Sequence, residues 1–153
     1  MSQRNYERSN KILQVDFRVS REARSIAKRL LEESAETGHR QLLAQELCDV
    51  LCDCAQIDIV RGVKISDANQ YHKKRGGRTT FKQYGYYKPD TRYLYINNRT
   101  AVRGQLLAAK TFLDTLLHEW MHHYDYAKLQ LDSIHSRGFY ARLKSLKEAL
   151  RIS

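Results

Sequence analysis

The chain contains one proline, Pro89, among 153 residues. It has no glycine- or serine-rich run, internal repeat or low-complexity tract, so nothing marks a domain boundary. A single domain over 1–153 is expected, with residues 1–19 as a flexible N-terminal arm. No apolar run approaches the roughly 20 residues of a membrane span. The opening "MSQRNYERSNKILQVDF" lacks the apolar segment of a secretory signal. The expectation is a cytoplasmic protein that contacts no membrane. Cys48, Cys52 and Cys54 are an odd number crowded into one short stretch, which argues against a disulfide framework. Cys48 and Cys52 share a helix face, but no second Cys or His pair stands nearby to complete a tetrahedral site, so they are expected to be small buried thiols.

Acidic residues are also scarce. Against 27 Lys and Arg there are 17 Asp and Glu, giving a net charge of +10. Such a balance favours polyanionic partners, through long-range steering and counterion release. Charge alone does not separate a nucleic-acid partner, and with it a nucleoid association, from a merely soluble basic surface.

The periodicities divide the chain into helical and extended parts. Apolar positions at Ala23, Ile26, Ala27, Leu30 and Leu31 predict a helix over 20–37, with Ser20 as N-cap and Gly38 as stop. Leu42, Leu43, Leu47, Val50 and Leu51 predict a second over 40–55. Residues 57–65, 79–87 and 92–97 are rich in β-branched and aromatic types and predict three strands. "HKKRGGR" (72–78) is a basic loop among them. Helical spacing returns after Asn98 to about Gln130, and a last amphipathic helix is expected over 136–150. Two helices, a small antiparallel three-stranded sheet and two further helices make an α+β fold.

Four of the six histidines fall within 115–140. His118-Glu119-Trp120-Met121-His122 fits H-E-x-x-H, and residues four apart on a helix lie about 40° apart around the axis. Both imidazoles therefore face one ion, with Glu119 beside them to take a proton from water. Leu113, Leu116, Leu117, Trp120, Met121 and Tyr124 form an apolar stripe about 150° away from the histidine pair, so a helix buried on that stripe presents the histidines to a cleft. A catalytic zinc usually has three protein ligands. His123 points about 100° away from His122, and Lys128 stands where a longer H-E-x-x-H-x-x-G-x-x-H pattern needs its third histidine. His135 is the best remaining ligand for one Zn2+ per chain. Asp125 lies on the ligand face, either as hydrogen-bond acceptor for a ligand imidazole or as an alternative third ligand. Tyr124, Tyr126 and Arg137 are near in sequence as candidates for polarising a carbonyl.

These residues resemble the SprT-like zinc metallopeptidases, the family of the Spartan-related proteases that degrade DNA–protein crosslinks. The matching residues are His118, Glu119 and His122, followed by His135-Ser136-Arg137-Gly138-Phe139. The family carries H-G-x-x-F there, with the histidine as third ligand and the aromatic packed beneath; Ser136 departs from it. The resemblance covers about 57–150 and implies a compact zincin-like domain, a protein or peptide substrate, and "RYLYIN" (92–97) as a substrate-side edge strand. The paired C-x-x-C motifs of a zinc ribbon, frequent after such domains, are missing, as are recruitment modules, so a peptidase is implied more firmly than crosslink repair. A monomer is expected.

Lys73, Lys74, Arg75 and Arg78 interleave with Phe81, Tyr84, Tyr86, Tyr87, Tyr93 and Tyr95. Cations for phosphates and aromatic faces for bases are the means by which single-stranded DNA is bound. The same aromatics also suit one face of a sheet packed on helices. Two rival functions remain. One is an ImmA/IrrE-like repressor-cleaving peptidase with an acidic third ligand such as Asp132. The other is a basic nucleic-acid-binding protein whose metal is structural, for which Glu119 is dispensable.

Overall fold

A computed structural model describes residues 2–69, 71–75, 78–100 and 104–152, with side chains outside 68–83. The elements run α1 (Gln3–Lys11), α2 (Arg21–Glu33), α3 (Thr37–Ala55), β1 (Gly62–Asn69), β2 (Tyr71–Arg75), β3 (Arg78–Gln83), β4 (Gly85–Lys88), β5 (Tyr93–Arg99), α4 (Ala109–Ala127) and α5 (Arg137–Leu150). The α+β class is as expected.

The sheet differs from expectation. β1, β5 and β4 form a three-stranded mixed sheet in that order, with β5 central. β1 runs parallel to β5, Val63 opposite Leu94, and β4 runs antiparallel, Tyr87 opposite Leu94. The stretch expected as one strand over 79–87 is divided: β3 pairs antiparallel with β2 in a separate two-stranded sheet, and β4 joins β5. β1 thus pairs with the side of β5 away from β4 and runs in the same direction as β5. Residues 92–97 are therefore the sheet's interior, and β4 is an edge. The backbone of the expected 72–78 loop lies largely in the hairpin; the side chains of Lys73, Lys74, Arg75 and Arg78 lie outside the described residues.

The expected arm is also ordered. Ser2 caps α1 by accepting from the Asn5 N–H, and α1 packs against α5. Residues 12–19 then cross the helices, where Phe17 meets Trp120 and Tyr124 with ring centroids 5.9 and 5.6 Å apart. Gly38 does not end a helix. The Glu36 carboxylate accepts from the Gly38 and His39 N–H groups, at 2.7 and 2.9 Å, and so starts α3.

One core joins the helices to the sheet. Leu113, Leu116, Leu117, Trp120, Met121 and Tyr124 of α4 are all buried, together with Leu43, Leu47, Leu51, Leu94, Ile96, Phe139 and Leu146. Cys48 and Cys52 are buried thiols as expected, Cys52 Sγ accepting from Trp120 Nε1 at 3.3 Å. Arg40 ties α3 to the approach of α4, donating to Asn98 Oδ1 at 2.8 Å and Leu107 O at 3.0 Å. No helix among the described residues is long and apolar enough to cross a membrane.

At Gly138, in the first turn of α5, a Cβ would overlap the Ser9 backbone carbonyl of α1. Backbone on both sides leaves no flexible atom to move aside. Gly138→Ala is expected to destabilise the protein by about 2–3 kcal/mol through overpacking, checked by the denaturant midpoint at unchanged m-value.

Candidate metal centre

Helix α4 sets the geometry. Its apolar stripe is buried, so His118 and His122 emerge on the opposite side, at one wall of a cleft of about 980 Å³. The segment 128–136 leaves α4 at Lys128 and turns at Gln130 in the left-handed region (φ 53°). It returns His135 to the same place before Ser136 caps α5. His135 Nε2 lies 3.1 Å from His118 Nε2 and 3.0 Å from His122 Nε2. All three nitrogens lie within 4.8 Å of one another, forming a group able to hold a metal ion.

Beneath them is Phe139. Its buried ring lies 4.5 Å from the His122 centroid, 5.0 Å from that of His118 and 5.4 Å from that of His135. His118 and His122 are also largely shielded from water. Burial pushes the His118 pKa down to about 4 and that of His122 down to about 3, with the neighbouring histidines adding to the effect. Neutral imidazoles are what a metal requires.

Proton arithmetic fixes the His122 tautomer. Ser133 Oγ donates its single hydrogen to Asp125 Oδ2 at 2.8 Å. Ser133 must then accept from His122 Nδ1, 2.8 Å away. With Nδ1 protonated, the lone pair of His122 is on Nε2, facing the other two histidines. Asp125 therefore orients His122 through Ser133 rather than by direct contact. It is not among the grouped ligand atoms, being fully buried and paired with Arg142 through bonds of 3.0 and 2.8 Å. Burial raises the Asp125 pKa, and the Arg142 contacts oppose that rise. Asp132, the other acidic alternative, accepts from Tyr126 OH at 3.0 Å and is likewise outside the group. Three Nε2 atoms this close either share protons or take a cation between them, and imidazole donors suit zinc, copper, iron or nickel.

Glu119 lines the same cleft and is only 7% exposed. Burial pushes its pKa up to about 8. Its stem lies close to β4: a Cβ on Gly85 would be 2.5 Å from Tyr95 O, 3.1 Å from Thr115 Cγ2 and 3.5 Å from Glu119 Cγ. Glycine at this position lets the edge strand approach α4. Tyr87 and Tyr126 also line the cleft, whereas Tyr124 is buried with its hydroxyl accepting from the Asp16 N–H, and Arg137 is not among the lining residues.

His123 faces away, as the helix phase requires. Its Nε2 bonds the Asp58 carbonyl at 2.7 Å and must donate, so Nδ1 accepts from Tyr87 OH at 2.7 Å. Burial pushes Tyr87 up to about 12, keeping the phenol protonated for that bond. Ser133, Arg142 and the Tyr87–His123 pair were not foreseen. A serine on an irregular segment and an arginine on an amphipathic helix carry no pattern that separates them from surface residues. No family model, curated protein or solved structure matches this chain.

Replacing an outer-shell partner of a ligand histidine costs about 10–100-fold in metal affinity. Ser133→Ala is expected to weaken zinc binding by that factor, and Ser133→Thr to retain most of it, measured by competition with a chromogenic chelator.

Proposed function

We propose that this protein is a zinc-dependent endopeptidase in which His118, His122 and His135 hold one Zn2+ and Glu119 is the general base. The observation that carries the reading is the convergence of three imidazoles beside one buried carboxylate in an open cleft. A closed four-ligand site would favour a structural metal; here three ligands face open space, the arrangement of catalytic zinc. Zinc at this position would acidify a water molecule and polarise a scissile carbonyl. Glu119 takes the proton of the attacking water and returns it to the leaving amine. Its burial keeps the carboxylate basic, and a nearby dication draws its pKa back toward neutrality. The convergence of His135 favours this reading over an ImmA/IrrE-like site with an acidic third ligand.

An extended peptide fits the space between β4 and α5. β4 is the sheet edge on the cleft side, and Tyr87, Tyr140 and Leu143 line the walls. Pairing with a strand edge uses backbone hydrogen bonds and leaves side-chain choice to these walls. The substrate strand is thus assigned to β4 rather than to residues 92–97.

A second surface supports association with DNA. On the sheet face opposite α3 and α4, Tyr86 and Tyr95 stack with centroids 4.6 Å apart, and Tyr93 lies 6.3 Å from Tyr95. Lys64 Nζ is 4.6 Å from the Tyr93 centroid and Lys88 Nζ is 5.6 Å from that of Tyr95. Aromatic faces ringed by cations, on a chain of net charge +10, suit a single strand. Lys73, Lys74, Arg75 and Arg78 extend the same proposal to the hairpin. The proposed setting is intracellular, at DNA.

Glu119→Gln is expected to retain about one zinc per chain and to lower the proteolytic rate about 10²–10⁴-fold, read with an unfolded protein substrate with and without DNA. Undiminished function in that variant would assign the metal a structural role. For DNA, Tyr86→Ala with Tyr95→Ala is expected to weaken oligo-dT binding by about 1–3 kcal/mol per base released, measured by fluorescence anisotropy at fixed salt.

A further inference from the structure

Segment 128–136 carries both Ser133 and His135, yet it has little regular pairing of its own. Leu131 N–H bonds Asp125 O at 3.0 Å, and Ser136 N–H bonds Ile134 O at 2.8 Å. Helix α1 supplies partners for several of the segment's other groups. Asn5 accepts the Asp132 N–H and donates to the Asp132 carbonyl, both at 2.9 Å. Arg8 donates to Leu129 O at 3.0 Å and to Gln130 O at 3.5 Å. Ser9 Oγ meets Ser136 Oγ at 2.7 Å, and Asn10 Oδ1 accepts from Gly138 N–H at 2.8 Å. Backbone groups that find no partner within their own segment must find one elsewhere, and side chains from more than a hundred residues upstream provide it.

The character of this docking is informative. The one buried residue of α1 is Ser9, which is polar. Hydrophobic burial is non-directional, whereas hydrogen bonds to specific backbone groups set position. Ser9 ties α1 to the core through Arg142, while the contacts of Asn5 and Arg8 are suited to placing the segment.

We infer that helix α1 is a positioning element of the metal centre: it holds segment 128–136 where Ser133 and His135 meet the histidines of α4, and its docking is thermodynamically coupled to metal binding. The inference rests on the three-histidine group being a metal site. Coupling of this kind is reciprocal. If docked α1 raises metal affinity by some factor, bound metal must favour docked α1 by the same factor.

The test uses the full chain with Asn5→Ala and Arg8→Ala combined, both on the accessible side of α1. Zinc affinity, by chelator competition, is expected to fall about tenfold or more, while far-UV circular dichroism stays unchanged. Gln3→Ala with Glu7→Ala removes an exposed pair within α1 and is expected to leave affinity unaltered. In the unsubstituted chain, one equivalent of zinc is expected to slow hydrogen exchange of the α1 amides by the same factor. Equal affinity in both double variants, or α1 exchange indifferent to zinc, would overturn the inference. If the unsubstituted chain binds no zinc, the peptidase reading fails, and positioning is then judged from the His122 ring in the metal-free protein. Long-range nitrogen–proton NMR is expected to show the Nδ1–H form in the native chain and a tautomer mixture after Asn5→Ala/Arg8→Ala; an unchanged ring would overturn positioning as well.

Discussion

The buried guanidinium of Arg142 is the interaction on which most of this architecture depends. All five of its N–H groups are used: Nε and Nη2 on Asp125, Nη1 on the carbonyls of Ser9 and Ile12, and Nη2 again on Ser9 Oγ. Desolvating such a cation is costly, and an ion pair repays the cost only when the geometry is good and every remaining donor is satisfied. Both conditions are met. The side chain is fully buried, and it links α5, on which it sits, to α4 through Asp125 and to the C-terminal end of α1 through main-chain carbonyls. Removing one member of a buried pair typically costs about 3–5 kcal/mol, and here the same guanidinium would release its contacts to all three helices. Gly138 permits this arrangement, since α1 could not approach α5 past a Cβ.

Two polar relays leave α4 from adjacent residues. His122 reaches Asp125 through Ser133 on the cleft side, and His123 joins Tyr87 to the Asp58 carbonyl on the sheet side. The rotation of about 100° per residue separates them: one relay orients a ligand, the other fixes β4 and the end of the α3–β1 connection against the same helix. The cleft between them is therefore framed on both walls by bonds that originate on α4. Phe139 makes the floor beneath the histidines apolar, and burial lowers the His118 and His122 pKa values while raising that of Glu119.

The sequence on its own was enough to identify the α+β class, the apolar stripe of α4, the facing pair His118 and His122 with Glu119 beside them, and His135 as their partner. The stripe and the facing pair are consequences of local periodicity: a helix repeats every 3.6 residues whatever surrounds it, so burial of one stripe determines what the opposite face presents. His135 was legible only as the remaining histidine, and its return depends on segment 128–136. The buried state of Cys48 and Cys52 follows from the same pattern.

Only tertiary structure decided the rest. Strand periodicity marks a strand without naming its neighbours, so 92–97 looked like an edge and is instead the middle of a mixed sheet. Residues 1–19 have no strong apolar pattern because α1 docks through Asn5, Arg8, Ser9 and Asn10, whose bonds go to backbone groups far along the chain. Asp125 faces the ligands on a helix wheel, but whether it touches His122 directly or through Ser133 depends on where an irregular segment returns. Hydrogen bonds are short-ranged and directional, and their partners come from the folded chain, not from the order of residues in it.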